Sequence, residues 1–209
     1  MKDSIRILII ESETLVRVGV RTILSSQTDF EIVGEAETIE KGFDLFKQTN
    51  ADVVLMSLRF AETCAIDEIE RFLKFAPRAK IIVLASHAGD AEISRSLKIG
   101  AFGYVCKDIS DDELIKAVRI ITSGKKYIPS GVANILSENL GQEQLTNAEK
   151  RILKTIVEGL SNKEIARKLD ISENTVKTHI KNIFDKIDVS DRTSAATTAI
   201  RRGLVRVDL

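Results

Sequence analysis

The chain is poor in the residue types that most often announce chemistry. It has two cysteines, two histidines, two prolines and no tryptophan in 209 residues. Two thiols, Cys64 and Cys106, cannot make a disulfide framework, so apolar burial has to hold the fold together. The histidines, His87 and His179, fall in different parts of the chain, and no metal-ligand cluster, Gly-rich phosphate loop or nucleophile–base set accompanies them. Catalysis is therefore not expected, nor is a metal or other cofactor. No apolar run approaches the roughly 18–20 residues that span a bilayer. The N-terminal Met1-Lys2-Asp3-Ser4-Ile5 lacks the apolar core and cleavage site of a secretory signal. The expected setting is cytoplasmic, with no membrane partner.

Net charge is also missing, with 31 basic and 31 acidic residues, but the balance hides an asymmetry. Residues 1–124 carry 16 Lys+Arg against 20 Asp+Glu, while residues 145–209 carry 13 against 9. An acidic N-terminal part joined to a basic C-terminal part suggests a control domain and a polyanion-binding domain.

What is present is strongly patterned. Short runs rich in Ile and Val occur at Ile5–Ile10, Glu31–Ala36, Asp52–Ser57, Lys80–Ala85 and Gly103–Val105. Between them, helical spacing appears at Leu15/Val18/Ile23, Phe43/Phe46, Ile69/Phe72/Leu73, Ile93/Leu97 and Leu114/Val118/Ile121. Near-continuous apolar strands alternating with helices imply a parallel sheet covered on both faces, a doubly wound (βα)5 domain with its site beyond the C-terminal strand ends. Ser110 with Glu113 reads as a capping box for the fifth helix, which stops at Gly124. Residues 125–144 read as a linker, with a modest helix over Val132–Leu140 and a polar stretch Gly141–Gln144.

From residue 145 the punctuation is wholly helical. Thr146 with Glu149 and Ser161 with Glu164 are capping boxes, the first helix closing at Gly159 and the second near Leu169-Asp170. Ser172 opens a third helix, Glu173 to about Ile187, and Ser190 or Asp191 a fourth. The tight Asp170-Ile171-Ser172 turn makes the second and third a helix-turn-helix candidate. In the third helix Val176, Ile180, Ile183 and Ile187 form an inward stripe. Asn174, Lys177, Thr178, Lys181 and Asp185 then face outward. Lys donates to guanine O6 and N7, and Thr hydrogen-bonds a base edge or touches a thymine methyl. Asn174, Thr175 and the helix N-terminus are placed to meet phosphate.

These motifs occur in a recognisable order. Leu145-Thr146-Asn147-Ala148-Glu149, then Glu158-Gly159-Leu160-Ser161-Asn162-Lys163-Glu164-Ile165-Ala166, then Ile171-Ser172-Glu173-Asn174-Thr175-Val176-Lys177-Thr178-His179 closely resemble the LuxR-type helix-turn-helix. The resemblance implies base contacts at Lys177, Thr178 and Lys181. It implies supporting or backbone contacts at Asn162, Lys163, Thr175 and His179, and dimerisation on double-stranded DNA through Asp191–Arg202. Upstream, Val53–Arg59 and Gly103–Lys107 resemble a response-regulator receiver, so that the whole chain is similar to the NarL/FixJ family. It departs from the receiver pattern where that pattern carries chemistry. Two acids that hold Mg²⁺ align with Glu11 and Ser12, and the phosphoacceptor aspartate aligns with Ser57. The hydroxyl residue ending the fourth strand aligns with Ala85, followed by Ser86; Lys107 and the aromatic Tyr104 are retained. Aspartyl phosphorylation is not expected, and Lys107 is free to pair with Glu11. Three controls stay open: a redox pair formed by Cys64 and Cys106, with Lys107 favouring a thiolate at Cys106; a small ligand or partner protein in the degenerate pocket; or abundance alone. An adaptor that controls another regulator by protein–protein contact is the alternative function.

Overall fold

A computed structural model describes residues 4–60, 64–86, 89–130, 133 and 145–205. The linker helix expected over Val132–Leu140 (apart from Ala133), the polar stretch Gly141–Gln144 and His87 lie outside the described residues. The chain divides into two compact units.

The first unit alternates strand and helix: β1 (Ile5–Ile10), α1 (Thr14–Ser25), β2 (Phe30–Ala36), α2 (Ile39–Gln48), β3 (Val53–Ser57), α3 (Ala65–Phe75), β4 (Lys80–Ala85), α4 (Asp90–Ile99), β5 (Gly103–Cys106) and α5 (Asp111–Thr122). All strands run parallel in the order β2-β1-β3-β4-β5. The central strands are apolar on both faces, and the structure uses both: Ile7–Ile10, Val53–Met56 and Ile81–Val83 are fully buried. Helix α2 lies so close to β1 that a Cβ on Gly42 would come within 2.5 Å of the Ile10 side chain, so only glycine permits that approach.

Two expectations need correction here. The Leu15/Val18/Ile23 spacing does not mark the inner face of α1: Leu15 is 88% exposed and Val18 40%. The helix instead buries Val20 and Leu24, with Val16 and Ile23 half-buried beside them. Its sequence offers two apolar stripes, and the one at i, i+4, i+7 and i+8 meets the sheet. The packed unit also continues beyond Gly124, because Tyr127 bridges to Gly103, donates its N–H to Phe102 O and joins the core cluster. At α5, the Ser110 hydroxyl accepts from Glu113 N, one of the two bonds of the expected capping box.

The second unit consists of α6 (Asn147–Val157), α7 (Asn162–Leu169), α8 (Glu173–Ile187) and α9 (Arg192–Arg201). Both capping boxes form, Thr146 with Glu149 and Ser161 with Glu164. Ser172 caps α8 and Asp191 caps α9. Leu145, Ile152, Leu153, Ile156, Ile165, Val176, Ile183, Ile187, Ala195 and Ala199 share one core. The fold is thus a five-stranded parallel α/β unit followed by an all-helical one.

Candidate nucleic-acid interface and receiver pocket

The turn between α7 and α8 is built by the backbone. Asp170 takes the left-handed conformation at φ 55°, its N–H donating to Ala166 O, and Ile171 N donates to the same carbonyl at 3.0 Å. Asp is one of the few non-glycine residues that enters this region readily. Ser172 then accepts from Thr175 N at 3.0 Å and starts α8 at once.

Within α8, Val176, Ile183 and Ile187 are buried and Ile180 and Phe184 half-buried. Asn174, Lys177, Thr178, Lys181 and Asp185 are all exposed. A helix with one flank buried in this way presents the other to solvent as a continuous surface, with two ammonium groups one turn apart. The Thr178 hydroxyl donates back to Asn174 O at 3.0 Å. Thr175 is exposed at the N-terminal end, with its Oγ1 2.8 Å from Ser172 Oγ.

The flanking residues divide. Lys163 is exposed at the start of α7. Asn162 is half-buried, and its Oδ1 accepts from Arg192 Nη1 at 3.4 Å; the same guanidinium donates to Leu160 O. Asn162 and Arg192 therefore tie the start of α9 to the start of α7. His179 is half-buried, and its Nδ1 has no partner among the described residues.

Sequence reasoning missed a second tie. Glu149 is buried, and one of its carboxylate oxygens accepts from Thr146 N (2.7 Å), Thr146 Oγ1 (3.0 Å) and Lys186 Nζ (3.0 Å). Burial pushes this carboxyl up, but those three donors outweigh it and hold it below the usual carboxylate range. The C-terminal turn of α8 is thereby anchored to the first turn of α6. The capping box made Glu149 legible; nothing in the spacing marked Lys186.

In the first unit, Glu11, Ser57, Ala85 and Lys107 come to the C-terminal edge of the sheet. Glu11 follows β1, Ser57 ends β3, Ala85 ends β4 opposite Cys106 of β5, and Lys107 N donates to Ala85 O at 2.8 Å. Lys107 Nζ lies 2.8 Å from Glu11 Oε2 and 2.5 Å from Glu13 Oε1. The Glu11 carboxylate is wholly buried, and its other oxygen accepts from Glu13 N at 2.9 Å. Burial works against the Lys107 charge, but Glu11 and Glu13 outweigh it and hold the ammonium above its ordinary value. Pairing with Glu11 was expected; the part of Glu13 was not, because a loop glutamate two residues on carries no signal of its own. Ser57 is buried with its hydroxyl donating to Arg59 O at 3.2 Å. Tyr104 and Ala85 are buried, whereas Ser12 and Ser86 are exposed.

The redox control left open at Cys64 and Cys106 gains no support from the surroundings of Cys106. Burial, reinforced by Asp108, pushes its thiol up, while the Lys107 ammonium is taken by two carboxylates. Cys64 is buried ahead of α3, and both cysteines are free thiols.

Known proteins align with both units. A family described as bacterial regulatory proteins, luxR family, matches residues 143–199, and the response regulator receiver domain matches residues 7–119. The transcriptional regulatory protein LiaR of Bacillus subtilis is 39% identical over 209 residues, covering 96% of this chain and 99% of its own. The nitrate/nitrite response regulator NarL of Escherichia coli K12 is 31% identical over 199 residues, covering 91% and 92%. A solved complex of the two-component response regulator RcsB with DNA superposes with a TM-score of 0.74 at 25% identity, over 95% of this chain and 99% of that one.

A receiver match implies Mg²⁺ beside a phosphoacceptor aspartate, and the residues here do not fit it. Mg²⁺ favours anionic oxygen ligands in an octahedral shell. Ser57 offers a buried hydroxyl already bonded to a carbonyl, Ser12 carries no carboxylate, and Glu11 and Glu13 face the Lys107 ammonium. Among the described residues no group of three His, Cys, Asp or Glu side chains is placed to hold a metal.

Proposed function

The chain belongs to the response regulators of the NarL/FixJ type, DNA-binding transcription regulators, and from that premise we propose that it reads a defined duplex sequence with α8, as a dimer, without aspartyl phosphorylation. The observation that carries the DNA reading is the outward face of α8, where Lys177, Thr178 and Lys181 are exposed opposite a buried apolar stripe. Lys177 and Lys181 reach guanine edges in the major groove. Asn174, Thr175, Lys163 and His179 serve the phosphate backbone, and Asn162 acts through Arg192 to set the approach of α7. The likeness to RcsB, a regulator solved in complex with DNA, supports the same use of the helical unit.

Dimerisation is assigned to α9, whose outward face presents Thr193, Thr197 and Ile200, the last 53% exposed. Two such units place their reading helices about one turn of DNA apart, roughly 34 Å. The division of labour follows the charge asymmetry: the first unit, whose core extends to Tyr127, controls, and residues 145–209 bind DNA.

Phosphorylation independence is supported by the absence of a carboxylate at position 57 and by the closure of the neighbouring charge pair. Acyl phosphate formation needs a carboxylate oxygen as nucleophile, and Lys107 already has two counter-ions. Control then rests on a small ligand or partner protein at the sheet edge, on abundance, or on a redox change at Cys64 and Cys106. The test is selection of bound duplexes from a random library by the full chain, with and without acetyl phosphate and Mg²⁺. One sequence enriched equally in both arms, with no base-labile phosphoryl adduct on the protein, is the expected result. No enriched sequence overturns the DNA reading, and an adduct overturns phosphorylation independence.

A further inference from the structure

Beyond α5 the chain does not leave the first unit at once. Gly124, at φ 86°, turns it back, with Gly124 N donating to Ile121 O and Lys125 N to Ile120 O. Lys125 and Lys126 are exposed, and Tyr127 then lies parallel against Gly103 of β5, its ring buried in the core. An edge strand such as β5 carries backbone groups that need covering. Tyr127 covers two of them: its N–H donates to Phe102 O at 3.0 Å, and its carbonyl accepts from Tyr104 N at 3.4 Å. Gly103 permits this approach, since a Cβ there would come within 2.6 Å of Ile121 Cδ1 and 3.1 Å of Tyr127 O. The bond from Tyr104 is at the long limit for N–H···O, so a small shift of β5 breaks it. Three residues on, about 10 Å along extended chain, stands Lys107. It pins that end of the strand, through its N–H on Ala85 O and its ammonium on Glu11 and Glu13. One short strand thus carries Tyr127 at one end and the charge cluster at the other.

We propose that Lys125–Tyr127 is a releasable strap through which the charge cluster at the sheet edge controls the linker. With the Lys107 ammonium closed on Glu11 and Glu13, β5 is held in place and the strap stays shut. An agent that draws off Glu13 or Lys107 lets β5 shift. The bond from Tyr104 N to Tyr127 O is then lost, and the chain from Lys125 onward passes into the linker. The strap is a local opening, far short of unfolding the sheet, because only two backbone bonds and one ring hold it. It works in this way whichever agent acts on the cluster, and whether or not α8 reads a sequence.

The experiment is limited trypsin digestion of the full chain under native conditions, with the products weighed by mass spectrometry. Between Arg119 and Lys150 trypsin has only Lys125 and Lys126 to cut, and cleavage there tracks the open fraction of the strap. Tyr127→Ala removes the buried ring and should raise this cleavage about a hundredfold. Lys107→Met should raise it about tenfold. Glu13→Gln, at the exposed partner, should raise it about threefold, and it decides the matter where Lys107→Met does not fold. Ile69→Ala destabilises α3, outside the core cluster that holds Tyr127, and should leave the cleavage unchanged. In Tyr127→Ala/Lys107→Met the second change should add nothing, because the strap is already open. The proposal is overturned if wild type is cut as fast as Tyr127→Ala, or if Lys107→Met and Glu13→Gln leave the rate at the wild-type value. It is equally overturned if Ile69→Ala acts as strongly as Lys107→Met, because global unfolding then exposes the site. Effects of Tyr127→Ala and Lys107→Met that multiply would overturn it too, since cluster and strap would then be independent.

Discussion

Replacing Lys107 by methionine removes a charge while keeping most of the side-chain volume, and its cost follows from the pocket geometry. The Glu11 side chain has no exposure and the Lys107 side chain only 11%, with 2.8 Å between them. Removing one partner of such a pair leaves a charge in a site that cannot hydrate it, which costs about 3–5 kcal/mol. Glu11 keeps its bond from Glu13 N, so the lower end applies, about 3 kcal/mol. For a unit of this size that lowers the midpoint of thermal unfolding by roughly 10 °C. Glu13 is 61% exposed, so Glu13→Gln should cost less than about 1 kcal/mol despite its short contact with the same ammonium. The double variant Glu11→Gln/Lys107→Met, which removes both buried charges, should recover more than half the loss. Urea and thermal unfolding of the full-length chain, followed through the transition of the first unit, measure all three. A cost below about 1 kcal/mol for Lys107→Met, or equal costs for Lys107→Met and Glu13→Gln, would show that the pair is a solvated surface contact and refute the argument.

Three further outcomes follow from particular side chains. Leu15→Ser should change stability by no more than about 0.5 kcal/mol, whereas Leu24→Ala, on the opposite flank of the same helix, should cost about 2–5 kcal/mol in urea unfolding. Glu149 is held below the usual carboxylate range, so its contribution is present above its ordinary value near pH ~4.3 and is lost as pH falls through the lowered one. Unfolding of the second unit should therefore show an acid-side loss that Glu149→Gln flattens, at a cost of about 1–3 kcal/mol at pH 7. Because burial raises the Cys106 thiol, its alkylation by iodoacetamide at pH 7 should run slower than that of an exposed cysteine, and it should speed up only as pH rises through the raised value.

The sequence spoke most clearly where local physics and tertiary packing agree. Strands β1 and β4 and helix α8 are found at the limits that their composition and caps imply, because Ser172 closes one end and the apolar stripe runs unbroken to Ile187. Both C-terminal capping boxes are legible because they close over three residues of contiguous chain. Helix α1 was harder: it has two apolar stripes, and only docking on the parallel sheet chooses between Leu15/Val18 and Val20/Leu24. Glu13 and Lys107, and likewise Glu149 and Lys186, are 94 and 37 residues apart in the chain, and no spacing rule reaches across such distances. The raised thiol of Cys106 was hidden for a related reason. A neighbouring lysine in sequence suggests a thiolate, yet its ammonium turns to carboxylates on another loop.

The sharpest test of the account is the salt dependence of binding by Lys177→Ala and Lys181→Ala to the enriched duplex and to random DNA. Each substitution should weaken binding to the enriched duplex by about 1–3 kcal/mol, with much less effect on random DNA, because each lysine meets a base edge. Equal weakening on both duplexes, with the salt slope reduced by about one unit, would place these lysines on phosphate alone and contradict the claim that α8 reads sequence through them.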